Sequence, residues 1–280
     1  MKGTLYIVST PIGNLGDITL RALETLKDVD LVAAEDTRHT RKLFSRFGIK
    51  TPLISFCGAK EQAKSGEVLR LLREGKSVAL VSDAGTPGIS DPGYYLVKQV
   101  VEEGLPLFSI PGPSAIISAL TLSGLSTERF VFEGFLPPKK GQRLKKLAGL
   151  KEEERTIVIY ESPRRIIKTL TEILEAMGDR KAAVSRELTK IHEEVARGKV
   201  SDIINLWGKK GIKGEITLVL EGATLKEASK PEEMEIFMRG LLKEGSSLKD
   251  GATLAAERFR VPKKKAYTEL LRLKEKIDHA

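Results

Sequence analysis

The 280-residue sequence predicts an α/β fold: an N-terminal domain on a parallel sheet, a second α/β domain on a mixed sheet, and a small helical C-terminal extension. Three observations predict it. Over the first 120 residues or so, short apolar runs alternate with helical patterns, the strand–helix–strand rhythm of an open parallel sheet. Those runs lack a clean two-residue alternation, as strands covered on both faces do. Further along, the runs come closer together, leaving less chain for crossovers and favouring a mixed sheet.

In order, residues 5–9, 31–34, 53–56, 78–82 and 107–110 read as strands rich in Val, Ile, Leu and Phe. Residues 20–27, 37–47, 61–73 and 94–103 read as helices, with Gly48, Gly75 and Gly104 as stops. This domain is placed at 1–118. In the second, 119–225, residues 130–132, 156–160, 182–185 and 215–220 read as strands. An amphipathic helix at 166–177 lies between two of them, and one at 200–207 is ended by Lys209-Lys210-Gly211. A polar junction at 226–231 leads to the extension, 230–280, whose helices are expected at 232–242, 249–259 and 263–277. Turns at Gly245-Ser246-Ser247 and Arg260-Val261-Pro262 separate them.

Composition narrows the function classes. A formal net charge of +9 favours encounter with polyanions, nucleic acid first among them. Cys57 is the only cysteine, so an intramolecular disulfide and cysteine metal clusters are excluded. His39, His192 and His279 show no paired ligand spacing, and no metal is expected. The first 13 residues lack the pattern of a signal peptide, and no apolar run approaches the roughly 20 residues of a membrane span. A cytoplasmic protein without a membrane partner is expected.

In open α/β sheets ligands bind beyond the carboxyl ends of the strands, so the strand exits are where the chemistry is expected. The first exit is Thr10-Pro11-Ile12-Gly13-Asn14-Leu15-Gly16-Asp17, in which Asp17 or Thr19 caps the next helix. It is not a dinucleotide fingerprint, which disfavours an oxidoreductase. The second exit holds Glu35-Asp36-Thr37-Arg38. Asp36 or Thr37 capping the next helix and a substrate-facing role are both compatible with it, but a cap leaves Glu35 unexplained. The fourth exit, residues 82–93, packs three glycines, two prolines and two aspartates into a rigid loop with exposed backbone, where Asp83 suits ribose hydroxyls or a cationic ligand. The fifth, Pro111-Gly112-Pro113-Ser114-Ala115, opens a helix with small residues.

Together Thr10-Pro11-Ile12-Gly13-Asn14-Leu15, Ala34-Glu35-Asp36-Thr37-Arg38, Ser82-Asp83-Ala84-Gly85-Thr86-Pro87 and Pro111-Gly112-Pro113-Ser114 resemble the tetrapyrrole methylase family. Phe132-Glu133-Gly134-Phe135-Leu136-Pro137, Tyr160-Glu161-Ser162-Pro163-Arg164-Arg165 and Ser185-Arg186-Glu187-Leu188-Thr189-Lys190 resemble its ribosomal RNA branch, which methylates a cytidine 2′-hydroxyl of small-subunit (16S) RNA. The resemblance implies a two-domain fold with S-adenosyl-L-methionine in the cleft against Pro11, Asp83, Gly85, Thr86, Ser114, Ala115 and Tyr160. It also implies a homodimer, no metal, and a helix-turn-helix-like tail. The stretch Phe56-Cys57-Gly58-Ala59-Lys60-Glu61 departs from the family, which carries a histidine there.

Methyl transfer from a sulfonium to a ribose hydroxyl is an in-line displacement helped by a proton acceptor, and Glu35 and Asp36 are the candidates. Arg38 is placed on a phosphate. Residues 139–146 hold five bases and no acid, so Lys139, Lys140 and Arg143 are expected to meet RNA, as are Arg164 and Arg165 past a strand exit. Arg258, Arg260, Lys263, Lys264 and Lys265 in the tail suit phosphate contact or dimer packing. The expected partner is small-subunit ribosomal RNA or the 30S particle. Two other readings use the same cleft: a methyltransferase of a small tetrapyrrole-like metabolite, against which the basic tracts and the tail count, and a nonenzymatic RNA-binding or ribosome-assembly factor that keeps the cleft as a relic.

Overall fold

The computed structural model describes residues 2–58, 61–208, 211–223, 231–259 and 261–278. Ala59 and Lys60, Lys209 and Lys210, residues 226–230 of the expected junction, Arg260 and His279 lie outside them. The chain divides into two compact units, Met1–Gly222 and Ala223–Ala280.

The first unit carries two five-stranded sheets. Strands β1 (Leu5–Val8), β2 (Leu31–Ala34), β3 (Leu53–Ser55), β4 (Val78–Val81) and β5 (Leu107–Ile110) are all parallel, in the order β3-β2-β4-β1-β5. Helices α1 (Leu20–Asp28), α2 (Thr37–Phe47), α3 (Glu61–Arg73) and α4 (Tyr94–Glu102) connect them. The missing alternation has its cause in β4, where all four residues are buried. Ala79 and Val81 join a core with Leu26, Leu43 and Phe44, while Val78 and Leu80 join another with Leu69, Leu72 and Leu96. Of the two caps weighed for α1, Thr19 is the one used, its hydroxyl accepting from Ala22 N at 3.1 Å.

The second sheet contains β6 (Phe130–Phe135), β7 (Thr156–Glu161), β8 (Lys181–Arg186), β9 (Glu194–Lys199) and β10 (Ile216–Leu220), in the order β6-β7-β10-β8-β9. Only β6 and β7 are parallel; the sheet is mixed. Around it lie α5 (Ala115–Ser123), α6 (Lys140–Gly149), α7 (Ile166–Met177) and α8 (Val200–Trp207). One face packs Ile157, Ile159, Val184, Leu218 and Leu220 against Leu170, Ile173 and Ile203. The other packs Val158, Ala183 and Val219 against Ala119 and Leu120 of α5. The division expected after residue 118 thus falls inside a helix that packs on the second sheet. Strand β9 escaped the sequence reading because it is an edge strand in which Ala196 alone is buried.

The described residues of the second unit form three helices, α9 (Pro231–Lys243), α10 (Leu248–Phe259) and α11 (Lys263–Asp278). They close on Met238, Ala252, Ala255, Phe259, Ala266, Leu270 and Leu273.

Candidate active site

The loops leaving β1 and β4 are joined by backbone. Thr10 N donates to Gly85 O at 2.9 Å, and Gly85 N returns a bond to Thr10 O at 3.0 Å. Thr10 Oγ1 donates to Ser82 O at 3.1 Å, and the Ser9 and Thr86 hydroxyls are 2.8 Å apart. Gly85 sits at φ +79°, a conformation glycine adopts without strain. A Cβ there would come within 3.5 Å of Ile12 and 3.8 Å of the Pro113 carbonyl.

The exits of β2 and β4 are latched through carboxylates. Asp83 N donates to Glu35 Oε2 at 3.2 Å, and Asp36 N donates to Asp83 Oδ1 at 3.1 Å. Asp36 also caps α2, accepting from Arg38 N at 2.8 Å, and it holds the Arg38 guanidinium at 2.7 Å. Hydrogen bonds from Arg38 keep the Asp36 carboxyl far below the usual range, whereas burial pushes Glu35 up. Asp36 is thus occupied as a cap and ion pair.

The loops leaving β1 and β4 wall one side of a cavity of about 600 Å³; the second sheet and the start of α5 wall the other. Of the residues that the family resemblance sets against the cofactor, Gly85, Thr86, Ser114, Ala115 and Tyr160 line it. Pro11 and Asp83 do not: Pro11 follows the backbone bridge, and Asp83 belongs to the carboxylate latch. Asp91, Ser185 and Thr217 line the cavity as well, residues to which the sequence alone assigns no role. The Ser185 hydroxyl is buried with no hydrogen-bond partner among the described residues. Asp91 follows Ser90, a non-glycine residue at φ +65°; the other two such residues among the described ones, Glu187 and Thr189, flank the lining residue Leu188. Backbone held in this region costs energy and gathers at sites that need a fixed loop shape.

The lining holds Asp91, Glu161 and Glu215 and no Lys, Arg or His. Glu161 is engaged by Arg165 at 2.8 Å and by the Thr169 hydroxyl at 2.7 Å, and Glu215 by Lys190 at 3.0 Å. Burial, then the charges of Glu35 and Asp83, raise the Asp91 carboxyl to about 6. Burial, then Asp91 and Glu215, push the Tyr160 hydroxyl up to about 12. The Tyr160 ring meets Phe132 at 4.9 Å and Phe135 at 5.5 Å. Apolar walls, bare glycine backbone and a lining that carries carboxylates but no Lys, Arg or His fit S-adenosylmethionine, a nucleoside carrying a cationic sulfonium. No group of three His, Cys, Asp or Glu suited to a metal occurs among the described residues. Nor is any described helix long and apolar enough to cross a membrane.

The basic residues divide into two kinds. Lys139, Lys140 and Arg164 are exposed, and Arg38 is 84% exposed despite its pairing with Asp36. Arg143, expected to meet RNA, is 2% exposed. It forms a two-pronged pair with Glu172 and donates to the Pro137 and Pro138 carbonyls at 3.0 and 2.9 Å. Its place on the inner face of α6 makes it a structural residue, which corrects that expectation. Arg165 is likewise turned to Glu161 and the Leu136 carbonyl. In the helical unit, Lys263, Lys264 and Lys265 are exposed, and the Arg258 guanidinium lies 4.4 Å from the centre of the Phe237 ring.

Comparison with known proteins places this arrangement. Residues 4–204 match the family model of the tetrapyrrole (corrin/porphyrin) methylases. A Thermotoga maritima protein named ribosomal RNA small subunit methyltransferase I is 53% identical over 220 residues, covering 79% of this chain and 99% of the relative. A Synechocystis protein of the same name is 46% identical over 274 residues, covering 97% of this chain and 98% of its own. Among solved structures, the methyltransferase CobJ superposes with a TM-score of 0.60 at 15% identity, over 79% of this chain and 95% of that one. Uroporphyrin-III-C-methyltransferase from Thermus thermophilus does so with a TM-score of 0.55 at 21% identity, over 79% and 93%. Those two likenesses speak for the fold; the family model and the sequence relatives speak for descent, and by them this chain belongs to the tetrapyrrole methylase family.

Proposed function

We propose that this chain transfers a methyl group from S-adenosylmethionine to small-subunit ribosomal RNA, at the 2′-hydroxyl of a cytidine, and that it works in the cytoplasm as a homodimer. The observation that carries the reading is the likeness, over 79% and 97% of this chain, to relatives that bear that RNA in their name. The exposed Lys139, Lys140 and Arg164 and a cavity lined by carboxylates but by no basic residue agree with it, since a polyanion and a cationic cofactor need surfaces of opposite sign.

When bound, the cofactor supplies an electrophilic methyl on a good leaving group. The protein holds the ligand and takes up a proton. Gly85, Thr86, Ser114, Ala115 and Tyr160 form the seat. The ribose hydroxyl loses its proton as the new carbon–oxygen bond forms, and a carboxylate that is ionised at neutral pH yet basic suits that task. Asp36 is too strongly held by Arg38, and Glu35 spends an oxygen on Asp83 N. Asp91 faces the cavity with its carboxyl near 6, so it is the acceptor in this reading, with Glu35 holding the loop that carries it. Lys139, Lys140 and Arg164 contact RNA phosphates.

Labelled cofactor tests the proposal: it should label small-subunit particles and leave porphyrinoids unlabelled. Transfer to a porphyrinoid alone would support the metabolite methyltransferase, and no transfer to either would support an assembly factor.

A further inference from the structure

The second sheet turns two successive rows of side chains to the side of α5 and the cavity. Val158, Val219 and Ala183 stand in register across β7, β10 and β8, and they are buried under Ala119 and Leu120. Two residues further along each strand comes Tyr160, Thr217 and Ser185, again in register. Residues two apart on a strand share a face, so this row continues the first. Its surroundings differ: all three residues line the cavity. The sheet face therefore changes from aliphatic to hydroxylic where the helix cover gives way to the cavity. Thr217 is 4% exposed and Ser185 is fully buried, its Oγ without a partner among the described residues, in a cavity whose walls include Ile12, Ile116, Leu188 and Phe132.

An unpaired buried hydroxyl is costly, and alanine at Ser185 would remove the cost. A row of hydroxyls beside apolar and aromatic walls matches one kind of ligand part: a flat heteroaromatic ring with a polar edge. Hydroxyls both donate and accept, so they meet ring nitrogens and exocyclic amino groups alike. Rotation about the single χ1 bond re-aims the Ser185 hydroxyl.

We propose that Tyr160, Thr217 and Ser185 form a ledge that reads the hydrogen-bonding edge of a nucleobase in the cavity, with Ser185 as a specificity-determining contact. The inference rests on the proposed nucleoside cofactor and RNA substrate, either of which supplies such a base. The test begins with S-adenosylhomocysteine binding to the wild-type full chain by calorimetry; absence of binding would defeat the cofactor reading itself. Ser185→Ala is then compared with wild type in ligand-free melting temperature, in S-adenosylhomocysteine affinity and in KM for small-subunit particles. The ledge predicts an unchanged or higher ligand-free melting temperature together with roughly tenfold weaker recognition of one ligand. Weaker S-adenosylhomocysteine binding identifies the cofactor's adenine as the base read; unchanged binding with a raised KM identifies the target base. Thr217→Val, which keeps the shape and removes the second hydroxyl, should weaken the same ligand. Unchanged affinity and KM in Ser185→Ala, or a loss of ligand-free stability that accounts for the weaker binding, would overturn the proposal.

Discussion

The two sheets of the first unit contribute to one cavity in different ways. The parallel sheet delivers its chemistry through loops beyond the strand ends: the Thr10–Gly85 bridge, the Glu35–Asp83–Asp36 latch and Asp91. The mixed sheet delivers its chemistry from within the strands, through Tyr160, Thr217 and Ser185. Loop chemistry is advertised by the turn formers needed to shape it, whereas strand chemistry is spaced by the pleat and aligned only by pairing register. The first wall should therefore be sensitive to charge and backbone, and the second to single hydroxyls.

The largest expected effect is on the loop side. Asp91→Asn should lower single-turnover methyl transfer by about 10²–10⁴-fold. S-adenosylhomocysteine affinity should change far less, and the wild-type pH–rate limb near 6 should vanish in the variant. An intact limb in the variant would remove Asp91 as acceptor. Next in size, Arg143→Ala leaves Glu172 buried without its partner and should destabilise the fold by about 3–5 kcal/mol, read by denaturant titration. Lys139→Ala with Lys140→Ala should do the reverse, leaving stability alone while reducing the log–log salt slope of RNA binding by about one per lysine. A smaller effect concerns ligand-free stability. The Asp91 carboxyl lies near 6 in the folded protein against an ordinary value of 3.8, so the native state retains a proton that the unfolded chain releases. Stability should fall as pH rises between these values and level off above them, by on the order of 1–2 kcal/mol after allowance for solvent screening. Asp91→Asn should flatten that decline.

The same contrast explains what could be read from sequence. Strands β1 to β5 were legible because each is a short apolar run bounded by turn formers. The fourth and fifth exits stand out as a ligand site because they are built of small residues and turn formers, while the choice of Gly85, Thr86, Ser114 and Ala115 within them rests on the family resemblance. Ser185 and Thr217 sit in strand interiors and carry no composition signal; only the pairing of β10 with β8 and β7 shows that they share a face with Tyr160. Asp91 was in view within the fourth exit, but nothing in the chain order distinguishes it from Asp83, which turns to the latch. Arg143 misled for the opposite reason: it lies in a basic run, and only the packing of α6 on Glu172 turns it inward. Charge in a sequence reports composition, while burial reports use.

The central claim is the transfer of a methyl group to a small-subunit ribose. Its most direct test is incubation of small-subunit particles with methyl-labelled S-adenosylmethionine, followed by alkaline hydrolysis of the RNA. A 2′-O-methyl blocks cleavage at its own nucleotide, so the account predicts label in one alkali-resistant dinucleotide that contains cytidine. Label recovered in alkali-labile mononucleotides, as a methylated base would give, would contradict it.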